Sequence, residues 1–157
     1  MSDLFTTIED ALLAMLQAAP GLVGIQTWET TIRECLFAGD KLTRGFSPGE
    51  LPAINVTAQL KPSRSRPCTA GEKEYEVPVN IVIVTRAGTA KDALRDVYEL
   101  KDAVESVLDQ ARRSGNALGA NTIVSGDVTA DAAAVKDTAQ VFAVCTVETT
   151  VKMVVEL

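Results

Sequence analysis

The chain closes on Val141-Phe142-Ala143-Val144-Cys145-Thr146-Val147-Glu148-Thr149-Thr150-Val151-Lys152-Met153-Val154-Val155-Glu156-Leu157, and the reading of this stretch decides the fold. Val141, Ala143, Cys145, Val147, Val151, Met153, Val155 and Leu157 share one side of a two-residue period, with Thr149 as the polar exception. Thr146, Glu148, Thr150, Lys152 and Glu156 take the other side, and neither Gly nor Pro interrupts the run. Successive side chains of an extended backbone leave opposite faces, so the pattern predicts a half-buried strand. Fully extended it spans roughly 56 Å at ~3.3 Å per residue, about three times the common strand length. Such a strand is expected either to bend, with a bulge at Thr149-Thr150, or to continue onto a neighbouring subunit. Val151, Met153, Val155 and Leu157, beyond that bend, are expected to form an oligomer interface, because a single chain has little left to cover them.

Working outward, residues 74–86 give a second long strand, with Tyr75, Val77, Val79, Ile81 and Ile83 on one face. Val82 and Val84 make the other face apolar too, so its second half is expected to be covered on both sides. Gly88 ends it, and Thr89 with Asp92 opens a helix to about residue 113, whose apolar face carries Ala93, Leu94, Val97, Leu100, Val104, Val107, Leu108 and Ala111. Arg112 and Arg113 suit the negative end of its dipole. Residues 121–128 read as a short strand and 129–138 as a polar turn region.

Toward the N-terminus, residues 51–60 alternate, with Ile54, Val56 and Ala58 facing one way and Asn55, Thr57 and Gln59 the other. Residues 38–52 hold three glycines and two prolines and read as loop, residues 23–31 as a strand, and residues 31–36 as either its continuation or a helical turn. Leu4, Phe5, Ile8, Ala11, Leu12, Met15 and Leu16 are spaced for one helix face, ended by Pro20-Gly21. The predicted order is α-β-β-β-α-β-β over a single domain of residues 1–157. This is an α+β fold in which one antiparallel or mixed sheet packs against two helices.

Composition narrows the function. With a net charge of −6 the chain has no excess of Lys and Arg to displace the counterions of a nucleic acid, so any such contact is expected to be local. Histidine is absent, which removes the usual general base and the commonest metal ligand. Cys35, Cys68 and Cys145 are odd in number and widely spaced, and read as free thiols, Cys145 in the core and Cys68 exposed. No basic leader and no apolar run of about 20 residues is present, which predicts a soluble, cytoplasmically made chain.

Few groups invite chemistry. Asp127 and Asp131 resemble a calcium loop only in part, because the position of the bidentate glutamate is held by Thr138, and they read as a turn. Glu72, Glu74 and Glu76 alternate and read as a solvated face. Gly21-Leu22-Val23-Gly24 and Gly45-Phe46-Ser47-Pro48-Gly49 lack the Lys-Ser/Thr of a phosphate loop and read as turns. No catalytic residue, cofactor or metal site is expected. The most suggestive cluster is basic: Lys61, Arg64, Arg66 and Lys73, in a polar segment at 61–73, read as a hairpin arm or a disordered tip. Such an arm serves either as a solubilising tip or as a contact for DNA or an acidic partner ring.

The N-terminal helix, the opening Glu50-Leu51-Pro52-Ala53-Ile54-Asn55-Val56, the arm, the strand leading into a helix and the alternating terminal strand together resemble the tail terminator, or tail completion, proteins of long-tailed bacteriophages. Ile8-Glu9-Asp10-Ala11-Leu12-Leu13 is similar to minor tail proteins of Mu-like prophages, and the architecture as a whole to Mu-like or lambda-like minor tail proteins. That resemblance implies a ring, usually a hexamer, that sits on the last ring of tail-tube protein. It halts tube polymerisation and presents a surface to the head-tail connector, with DNA passing through its lumen and no reaction catalysed. It places the protein in a virion tail assembled in the host bacterial cytoplasm, the arm against tube or DNA and the C-terminal strand between subunits. The alternatives are a head-side connector and a small α+β ligand-binding or hydrolytic domain.

Overall fold

A computed structural model describes residues 2–30, 50–58, 64–67, 71–114, 122–137 and 140–156. In chain order it contains α1 (Ser2–Gln17), a short 3-10 turn (Pro20–Leu22), β1 (Thr27–Glu29), β2 (Ala53–Ala58), β3 (Arg64–Pro67), β4 (Glu72–Ala87), α2 (Ala90–Ser114), β5 (Thr122–Asp137) and β6 (Gln140–Glu156). The strands form one sheet in the order β1-β2-β4-β6-β5, with β3 also paired to β4. β1 runs parallel to β2 and every other pairing is antiparallel, so the fold is the α+β arrangement that the alternation predicts.

The interior follows the two periods. From α1, Ile8, Leu12 and Leu16 are fully buried; from α2, so are Ala93, Val97, Val104 and Leu108. They meet the inner face of the sheet, where Val77, Val79, Ile81 and Ile83 of β4 lie beside Cys145, Val147 and Val151 of β6. Each Val, Leu and Ile among them contributes roughly 1.5–3 kcal/mol by leaving water. α2 starts where Thr89 accepts a hydrogen bond from the Asp92 backbone N–H at 3.2 Å, the expected cap. The 3-10 turn lies so close to α2 that a Cβ on Gly21 would stand 3.2 Å from the Ala103 Cβ, which is why glycine occupies that place. On the outer face Val84 and Val144 form a second small cluster with Leu51, Val82 and Phe142 beside it, so the far half of β4 is covered on both sides.

Several expectations are corrected. The terminal strand needs no neighbouring subunit to account for its length: all 16 residues of β4 pair with β6, from Glu72 opposite Glu156 to Ala87 opposite Val141. Nor does β6 bulge at Thr149-Thr150. The irregularity lies in its other partner, between Ser125 and Thr129 of β5, opposite Thr149. Residues 129–138 are not a turn region, and Asp127 and Asp131 lie on a strand, because β5 continues to Asp137. Its run of Ala and Asp has low strand propensity, and the ladder offered by β6 overrides it. β1 is confined to three residues, leaving Val23 81% exposed ahead of it.

Candidate assembly surface

The sheet has two unlike margins. On the β2 side, β1 covers only Ala53, Ile54 and Asn55. Farther along, the Glu9 carboxylate of α1 accepts a hydrogen bond from the Ala58 backbone N–H at 2.8 Å. That edge donor is thereby occupied by a side chain and is closed to another strand. Burial pushes the Glu9 carboxyl above its usual range, the Ala58 N–H draws it back down in part, and neighbouring Asp10 adds to the rise. On the opposite side stands β5, 16 residues long, with β6 as its one strand partner among the described residues. α2 packs against it, and no strand pairs with its outer side among the described residues.

β5 bends without losing its pattern. Ser125 pairs with Thr150 and Thr129 with Glu148, so four steps on β5 match two on β6 and the bulge holds two extra residues. An insertion of two keeps each residue on its own face, whereas one would invert the strand. The bend falls beside the single orphaned polar atom among the described buried side chains, the Thr149 hydroxyl, in a residue 3% exposed.

Of the arm residues, Lys61 lies outside the described residues. Arg64 and Arg66 fall in β3, at register positions opposite Glu76 and Glu74 of β4. The row continues across the sheet, since the Lys152 ammonium of β6 stands 3.7 Å from the Glu76 carboxylate. Lys73 lies in β4 with its ammonium 5.4 Å from the centre of the Tyr75 ring, two residues along the same face. Of the alternating glutamates, Glu76 thus faces a cation across the sheet, and Glu74 and Glu76 stand at register positions opposite arginines. Gly71, with φ +83°, makes the turn into β4 in the region that favours glycine.

The proposed interface residues divide. Val151 is fully buried inside its own chain, beside Val77 and under the helix layer, and so belongs to the core and not to a contact surface. Met153 and Val155 continue β6 at register positions opposite Tyr75 and Lys73, while Leu157 lies outside the described residues. Only the first part of β5 is legible as a strand in the sequence, at residues 121–128, and its continuation is not. The signal was present in Ala130, Ala132 and Ala134, which alternate with Thr129 and Asp131, but alanine is too weak an apolar marker to announce a strand.

A cleft of about 280 Å³ lies between β4 and α2, lined by residues that include Thr85, Arg86, Asp96 and Glu99. Its one hydroxyl, on Thr85, donates to the Ala93 carbonyl at 2.9 Å and is committed to holding α2 on the sheet. Among the described residues no group of His, Cys, Asp and Glu is placed to hold a metal ion. No described helix is long and apolar enough to cross a membrane.

The architecture so defined is an α+β domain with one open mixed sheet, whose β2 side carries β1, β3 and the Glu9 carboxylate and whose β5 side has no further strand partner among the described residues. No family model matches the chain, and no curated protein matches it. Among solved structures it is similar to a chain of the virion of a native gene transfer agent particle, at 15% identity and a TM-score of 0.49 over 92% of this chain and 94% of that one. A second solved chain is similar at 11% identity and a TM-score of 0.43, over 94% of this chain and 91% of that one.

Proposed function

We propose that this protein is a structural virion component that assembles into a ring, hexameric in the reading that its sequence pattern suggests. The ring caps the tail tube, stops its polymerisation and offers the head-tail connector a surface. The observation that carries this reading is the unequal treatment of the sheet margins: among the described residues the 16-residue β5 has no strand on its outer side, while the β2 side carries the short β1 and β3 and a side-chain carboxylate on the Ala58 N–H. A monomer gains nothing from a long open edge, which is an aggregation hazard, whereas a subunit needs one. A cap must also end growth, so the ring requires one face complementary to the tube end and another without a tube-binding edge. No catalysis enters this role, in keeping with a chain that has no histidine. In this reading DNA passes through the lumen, and the basic arm borders either the tube or that passage.

Two measurements test it together. Native mass spectrometry is expected to show a closed multiple of 16.7 kDa, and tube protein polymerised in its presence is expected to give shorter tubes with a density at one end. A strict monomer that leaves tube length unchanged would overturn the proposal. Binding to portal-side proteins without binding to tube would favour the head-side connector instead.

A further inference from the structure

We draw no further inference here: the strongest candidate, the cleft between β4 and α2 with Asp96 and Glu99 on its wall, is an acidic pair with no second observation that points to a ligand, and nothing in the structure shows what fills it.

Discussion

The two margins of the sheet are made of the same material and treated in opposite ways. At β2 the edge is three residues of parallel strand followed by a carboxylate on the Ala58 N–H. At β5 the edge is 16 residues of strand with a two-residue bulge and a scatter of aspartates. The lesson is that exposed backbone in this fold is directional. Beside β2 a helix carboxylate occupies an edge donor, whereas β5 bends at its bulge and has no second strand partner among the described residues.

The largest effect that sharpens this contrast comes from the helix behind the closed margin. Leu12→Ala removes a fully buried side chain that holds α1 against the sheet, with an expected loss of about 2–5 kcal/mol in urea unfolding. A loss under about 1 kcal/mol would mean that α1 does not anchor that margin. Next in size is a pair of prolines on the open margin, Ala132→Pro and Ala133→Pro. Successive N–H groups of a strand point to opposite sides, so one of the two variants breaks a bond to β6 and loses roughly 1–3 kcal/mol. The other touches only the outer edge. It is expected to keep its thermal stability and to lose self-association in sedimentation velocity. Equal destabilisation of both would show that the outer edge is already occupied within the chain.

Glu9→Ala unplugs the closed margin and leaves the Ala58 N–H without its charged acceptor, at an expected cost of about 1–2 kcal/mol with increased aggregation on heating. Because the Glu9 carboxyl is held above its ordinary value, the folded state binds its proton more tightly than the unfolded chain does. Stability from this group is therefore greatest below the ordinary carboxylate range and declines as pH rises through the raised value. Glu9→Gln keeps an acceptor and is expected to abolish that decline, visible as a flatter melting temperature against pH. The smallest effect is a gain. Thr149→Val keeps shape and removes the orphaned buried hydroxyl beside the bulge, raising stability by about 1 kcal/mol. A loss would reveal an acceptor for that hydroxyl on the bulged strand.

Much of the fold was legible because it is written in strong residues. Val, Ile and Leu at spacings of two or three to four announce β4, β6, α1 and α2, and Thr89 marks a helix start by a mechanism that does not depend on context. β5 was only half visible. Ala130, Ala132 and Ala134 alternate correctly, yet alanine is indifferent to strand or turn until a neighbouring ladder fixes it. The interface reading of Val151 failed for a related reason. Periodicity reports which face is apolar, and it is silent on whether a helix of the same chain or a second copy covers that face.

The sequence by itself determined the α+β class, the two helices and their inner faces, and the half-buried character of the terminal strand, since each rests on local period and apolar contrast. Only the tertiary structure decided that β6 is matched along its length by its own chain, that residues 64–67 form a strand with its arginines at positions opposite glutamates, and that the Ala58 N–H is occupied while β5 has no second strand partner among the described residues. The physical reason is that edges are defined by what is not paired. Pairing depends on residues far apart in the chain, such as Glu9 with Ala58 or Arg64 with Glu76, and no local pattern contains them.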